Sequence, residues 1–527
     1  MRIGYSDAVV FWIFLSVFCS TQFTGAQTQP NPDSALVEIL HKIEGTPLTL
    51  QQAIESGSRN ATSVGMAKAA YSAARGAARH ERGFFDPEFF FNLNYLDQEE
   101  PTASFFAGSP TLITKQTTSS TGLRMNLPIG TELELSVNTV RLKTNSLFAF
   151  LNPEYDAFGS LSLRQPLLGG FAASARKRLA SADRQLEAEQ ARYNQQVLAT
   201  RAEVERNYWD LYAAVRDYAV QTLTRNRAKV FLKEAELRAQ TGLVGPNQVA
   251  SARTFLAEQE LVLLQMDEQL DRLSDQLASL IGVRPESGAV RFIPVDVPPG
   301  DFAIAPLDKL VENARSSNLD LRAAQKDVDA IRVLANAAKW EALPSVDAIG
   351  SIGGSGLGGV AQQVIFGGDT LSIPPGRTGN LNDALGQVSR RDFPSWSVGV
   401  EISIPIGFRS GLGEKDRLNA LESVAQQKYI EASRQLEEQI RDIYRVLSHG
   451  RARLKAAREG VEAAQEQVRI GLVEFHNGQI TAFELVRLGE DFAITQRRYS
   501  QALVLTAKAA ATLRQLTSDE NSAEEIN

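Results

Sequence analysis

Apolar residues recur every seven positions through two long segments of the chain. Val197, Val204, Leu211 and Tyr218 mark one series, and Ile440, Leu447, Leu454, Val461 and Val468 mark the other. A strict seven-residue period keeps one seam facing its neighbour only if helices supercoil left-handedly, so both segments predict coiled-coil helices. The first, Ala172 to Gln240, runs about 69 residues, roughly 100 Å at 1.5 Å per residue. The second, Gly413 to Val473, runs about 61 residues, roughly 90 Å. Each half also holds two shorter helical segments of about 35 to 40 residues, roughly 55 Å each. Two short helices end to end match one long one, which predicts a bundle of long helices flanked by stacked short pairs.

Between the helical segments the period falls to two. In WSVGVEISI, Trp396, Val398, Val400, Ile402 and Ile404 take one face, and Ser397, Gly399, Glu401 and Ser403 the other. Leu161 and Leu163 oppose Ser160, Ser162 and Arg164; Phe89, Phe91, Leu93 and Tyr95 oppose Phe90, Asn92 and Asn94. Such alternation fits a half-buried sheet or a barrel wall with lipid outside and water inside. Aromatic strand ends at Phe84, Phe85, Phe393 and Trp396 favour the barrel. Two strands are clear in each half, with a possible extra pair at Thr121–Leu127 and Glu132–Val140. Four to six strands cannot close around water, and an open edge in lipid leaves backbone groups unpaired, so several chains must share one barrel.

The chain reads as written twice. Segments opening at Pro47 and Pro306 share one plan: helix, a β stretch starting near Pro87 or after Pro344, then a final strand, QPLLGGF or ISIPIGF. A long helix, a glycine break and a shorter helix follow in each. Pro166 lies 76 residues before Gly242, and Pro405 lies 73 before Gly478. The expected division is residues 1–26 as a signal peptide, 27–298 as the first repeat, 299–516 as the second, and 517–527 as an acidic disordered tail. The proline-rich VDVPPGDFAIAP (295–306) joins the repeats. At the first break, AQTGLVGPNQVASAR (239–253), Gly242 suits the left-handed residue that ends a helix, and Pro246 suits the first turn of the returning one. EFHNGQITAFE (474–484) repeats the break without proline. Loops this tight make antiparallel hairpins.

Composition narrows the function classes. A net charge of −7 offers no basic footprint for nucleic acid. Arg2, the apolar run AVVFWIFLSVFCS and Thr24-Gly25-Ala26 have the layout of a secretory signal peptide, cut after Ala26. The single cysteine, Cys19, follows Val17-Phe18 rather than the small residues a lipid-acceptor cysteine wants, and it leaves no thiol in the mature chain. The four histidines (His41, His80, His449, His476) lack metal-ligand spacing, and no cofactor is expected. His476, near a helix tip, reads as a solvated turn residue, with a response to mild acid the sharper alternative. The Arg176-Lys177-Arg178 cluster would lie near the barrel rim or on a solvated face. A literal GxGxxG at Gly354, Gly356 and Gly359 is followed by VAQQVIFGGDTLSIPPG, which does not read as the helix that dinucleotide binding needs, and it reads as a flexible loop between strands. No Ser/His/Asp, P-loop or HExxH arrangement supports an enzyme.

The duplicated plan, the QPLLGGF and ISIPIGF strand ends, and the GLV and NGQ breaks together resemble the TolC-type outer membrane efflux protein family, over about Thr46 to Leu516. That resemblance implies an α+β membrane protein: a long α-helical coiled-coil barrel continuous with a transmembrane β-barrel, twelve-stranded and shared by a homotrimer. It implies localisation in the cell outer membrane, in contact with its lipid, with the helical tunnel in the periplasm. It further implies a passive exit duct for small molecules or proteins in a tripartite efflux or type I secretion system, docked to a periplasmic adaptor and an inner-membrane transporter. By the same resemblance the adaptor would engage Gly242, Leu243 and Val244 at one tip and Gly478, Gln479 and Ile480 at the other. Phe475, Glu484 and Arg487 would fall at the periplasmic entrance gate. Arg487 stands where the family's best-known member carries a second acid, which puts a cation-binding ring in doubt. The alternative is a periplasmic coiled-coil adaptor or scaffold without a channel.

Overall fold

The computed structural model describes residues 34–104, 107–300, 304–366, 369–371 and 377–518. The expected signal peptide with Cys19, the tail from 519, and the side chain of His476 fall outside what is described.

The chain opens with α1 (Ser34–Lys42), β1 (Thr46–Leu48), α2 (Leu50–Asn60) and α3 (Thr62–Gly83). Four strands follow: β2 (Glu88–Pro101), β3 (Thr111–Asn126), β4 (Glu132–Thr144) and β5 (Leu151–Leu168). Then come α4 (Lys177–Gln240), α5 (Pro246–Ile281), β6 (Phe292–Pro294), α6 (Leu307–Ser317) and α7 (Leu319–Glu341). The second β region is β7 (Ser345–Ala361), β8 (Val364–Phe366), β9 (Asp369–Leu371), α8 (Leu381–Arg390) and β10 (Phe393–Ser403). It leads into α9 (Arg409–Ser448), α10 (Gly450–His476) and α11 (Ala482–Thr517). None of the described helices is long and apolar enough to cross a membrane.

Three expected helices differ from the sequence pattern. The segment from Gly413 to Val473 is not one helix: it divides at His449, between α9 and α10. Gly450 follows the break at a close approach, where a β-carbon would stand 3.1 Å from the Thr506 side chain of α11. The short helix before each β region also breaks, at Ala61 and at Asn318. Asn318 supplies the reason at the second: its side chain accepts the Leu321 N–H at 2.9 Å and donates to Leu516 O at 2.9 Å, replacing bonds that an unbroken helix would make.

Two compact units result, one of Glu44–Val215, Gln265–Val461 and Thr495 onward, the other of residues up to Ile43, Arg216–Leu264 and Glu462–Ile494. In the first, the heptad residue Ile440 is buried with Leu436 of α9, Leu310, Val311 and Ala314 of α6, and Leu516 of α11. Helix packing thus uses the seam that the seven-residue period marked.

One sheet holds six strands in the order β10-β7-β5-β4-β3-β2, every neighbour antiparallel. The extra strand pair is therefore real, and longer than the sequence suggested. Residues paired straight across the sheet have one character on each face. Phe89, Leu123, Leu135, Leu161, Ile352 and Trp396 form one row; Glu88, Arg124, Glu134, Ser162, Ser351 and Ser397 form the next row on the opposite face. All of the apolar row except Leu161 is largely exposed, with Trp396 at 76%. A face so apolar and so open is what a lipid-facing wall requires. The polar face carries paired charges: Arg164 lies 2.6 Å from Asp347 and 3.3 Å from Glu401, and Arg124 forks onto Glu88 at 2.8 and 2.9 Å.

The Gly354–Gly359 motif is not a loop. It lies within β7, and its glycines provide close approach: a β-carbon on Gly356 would meet the Ala384 carbonyl oxygen of α8 at 2.1 Å. The pairing of β10 with β7 ends at Phe393 and Ser355. Two residues further on, the Gln387 side chain of α8 accepts the Leu357 N–H and donates to Leu357 O, both at 3.0 Å. A side-chain amide thus takes the place of the missing strand.

Near the join between halves, Tyr208 of α4 is fully buried. Its hydroxyl lies 2.9 Å from Leu48 O and from Asp296 Oδ2, and accepts the Val295 and Asp296 N–H groups at 3.1 and 3.2 Å. Asp296 also accepts the Leu50 N–H at 2.6 Å. The connection after β6 is therefore bound to the start of α2 through one phenol, which burial holds far above its ordinary pKa. Tyr208→Phe should leave two backbone donors without that acceptor and lower stability by about 1–3 kcal/mol, read as an earlier urea midpoint for loss of helical circular dichroism.

Candidate functional site

The second unit carries both helix reversals. α4 ends in a left-handed residue, Gly242, at φ +74°. The Leu243 N–H donates to Arg238 O at 2.9 Å and the Gly242 N–H to Ala239 O at 3.1 Å, the two bonds of a Schellman motif. α10 ends the same way. Gly478 has φ +74°, the Gln479 N–H donates to Glu474 O at 2.8 Å, and the Gly478 N–H donates to Phe475 O at 3.0 Å.

The restart differs. Pro246 opens α5, as its fixed φ favours. α11 opens on a capping box instead: Glu484 Oε2 accepts the Thr481 N–H at 2.7 Å, while Thr481 Oγ1 accepts the Glu484 N–H at 3.2 Å. Bonds from Thr481, and then the Arg487 charge, hold the Glu484 carboxyl below its ordinary pKa. Of the expected gate residues, Glu484 is thus engaged in starting its own helix and Arg487 is exposed. Phe475 is 5% exposed, with the Arg238 guanidinium 4.5 Å from its ring centroid. That contact brings the ends of α4 and α10 together.

Leu243 is 75% exposed at the first tip, with Val244 half-buried beside it. At the second, Gln479 is exposed and Ile480 half-buried. A β-carbon on Gly471 would lie 2.5 Å from Leu488 Cδ1 and 3.6 Å from Ile480 Cδ1, so glycine lets α10 and α11 close on one another there. Phe483, which spacing from the glycine did not single out, is 70% exposed beside the second tip. Its signal in the sequence is an aromatic residue inside a T-x-x-E capping box, where a solvated first turn gains nothing from it. A cavity of about 480 Å³ lies behind the tips, lined by Phe231, Phe255, Leu472, Phe475 and Leu485.

Among the described residues no group of three His, Cys, Asp or Glu side chains could hold a metal ion. The geometry offers two apolar points on tight turns, a surface for contact.

Residues 310–518 match the outer membrane efflux protein family model. No curated protein sequence matches the chain. Solved structures of similar fold include the outer-membrane channel OprN, at 17% identity and a TM-score of 0.63 over 89% of each chain. VceC from Vibrio cholerae is 16% identical, with a TM-score of 0.61 over 89% of this chain and 95% of its own. CmeC from Campylobacter jejuni is 12% identical, with a TM-score of 0.61 over 90% and 88%. At these identities the likeness is one of fold. By sequence, residues 310–518 are similar to the outer membrane efflux protein family, and over most of its length the chain has the fold of these outer-membrane channels.

Proposed function

We propose that three copies of the chain form an outer-membrane exit duct, with the helices in the periplasm and both tips turned to a periplasmic adaptor coupled to an inner-membrane transporter. The duct is passive and serves a tripartite efflux or type I secretion system. The similarity of residues 310–518 to the outer membrane efflux protein family supports the export role. The observation that carries the docking role is the matched pair of Schellman turns, each with an exposed apolar side chain at or beside it, Leu243 and Phe483. An exposed apolar residue on a rigid turn gains by burial against a partner.

The exposed apolar row of the sheet speaks against a soluble adaptor or scaffold, which would gain nothing from such a surface. Recovery of the mature protein in the soluble periplasmic fraction would favour that alternative. The gate assignment is narrower. Phe475 contributes by packing the tips together, and Glu484 and Arg487 by the charge they present at the entrance.

Two outcomes test the docking role. A photocrosslinker at Leu243 should capture a periplasmic adaptor, identified by mass spectrometry; normal assembly with no partner captured there would undermine it. Gly242→Ala should keep trimers intact and reduce export. A β-carbon at Gly242 has no heavy atom within 4 Å, so its cost is the left-handed backbone alone, about 1–2 kcal/mol. Unchanged export with that substitution would show the turn geometry to be dispensable.

A further inference from the structure

The strands β2 and β10 are the two edges of the six-stranded sheet. We propose that β10 of one copy pairs antiparallel with β2 of the next, so that three copies close an eighteen-stranded barrel, half as large again as the twelve strands the family resemblance implies. The count of three rests on the duct reading above; the six strands per copy and the edge pairing come from this chain.

Direction agrees first. Every neighbouring pair in the sheet is antiparallel, so the first and sixth strands run oppositely and joining them preserves the alternation. Length agrees as well, with eleven residues in β10 and fourteen in β2. Face is the third constraint. Setting Ser403 opposite Glu88 uses all of β10 and aligns Ile402 with Phe89, Val400 with Phe91, Val398 with Leu93 and Trp396 with Tyr95. Apolar then meets apolar on the outer face, and Glu401, Gly399 and Ser397 share the inner face with Phe90, Asn92 and Asn94.

The stagger gives an independent check. Crossing the sheet from Glu88 by direct pairs reaches Ser397, six positions from Ser403. Pairing Ser403 with Glu88 therefore adds a stagger of six residues for six strands, one per strand. At a rise of about 3.3 Å and a strand spacing of about 4.8 Å this tilts the strands by roughly 35°, within the range of membrane barrels. No stagger would mean no tilt, and only five positions of β10 would find partners. Eighteen strands at that tilt enclose a barrel about 34 Å across between backbones, against about 22 Å for twelve.

The additional width comes from the β3–β4 hairpin. β2 ends and β5 begins at the same end of the sheet, so residues 102–150 could be replaced by a short turn and β2 would come to lie antiparallel beside β5.

The test uses the full chain with Cys19→Ser. Oxidation of Phe91→Cys/Val400→Cys in isolated membranes should give covalent rings of three chains on denaturing gels, since directly opposed strand residues lie within disulfide reach. In a parallel arm, Ser120→Cys on the inner face of β3 should react with a membrane-impermeant maleimide, and Leu123→Cys on the outer face should react at least tenfold more slowly. Trimers by native mass spectrometry without the cross-link would overturn the edge pairing. Equal labelling at 120 and 123 would remove β3 from the wall and overturn the count of eighteen, even if the double-cysteine variant failed to assemble. A protein extracted only as monomer would instead dismiss the duct reading, and the barrel with it.

Discussion

Hydrocarbon offers no water to a backbone N–H or carbonyl, and that single constraint organises the β region. Six strands carry an exposed apolar row on one face and a polar row on the other. Such a sheet is stable in lipid only if each main-chain group finds a partner within protein. Even short exposed runs are treated accordingly. Where β10 stops short of the end of β7, the Gln387 amide binds the Leu357 backbone as a strand would. Gly354, Gly356 and Gly358 of GSGLGG leave room for α8 and its N-cap to come near enough to do this. A motif that could pass for a nucleotide loop is a seat for a helix.

The helical part obeys a different limit, the distance between helix axes. Gly450 against Thr506 and Gly471 against Leu488 mark two places where a side chain on one helix occupies space that a β-carbon on its neighbour would need. The first coincides with a break in the helix and the second does not, so closeness alone does not break a helix. At the join between halves, Tyr208 shows the complementary device, in which one buried hydroxyl binds backbone from two segments distant in sequence.

Much of this was legible in the residues. The seven-residue series fell on seams where the helices pack; Val204, Leu211 and Ile440 are all fully buried. Both glycine reversals carried their signal in two or three residues, since only glycine adopts φ near +74° at low cost. Strand β3 was harder. TLITKQTTSSTGLRMN is polar on both faces over much of its length, so alternation is faint where the wall leaves the apolar band. The breaks at Ala61 and His449 carry no proline, so the linear pattern gives little sign of them. The tip residues taken from family resemblance stand at two matched turns, but the burial of Phe475 depends on Arg238, far away in sequence.

The two reversals share one backbone geometry and differ in what restarts the helix. A proline ring is covalent and indifferent to acidity; the Thr481–Glu484 box depends on a carboxylate. Its lowered pKa means that the bond persists above the ordinary carboxylate range and is lost as pH falls through the lowered value. Strong acid would therefore loosen one turn and spare its twin. Whatever touches both turns meets one surface whose shape is fixed by covalent chemistry and one whose shape is, in the end, a proton equilibrium.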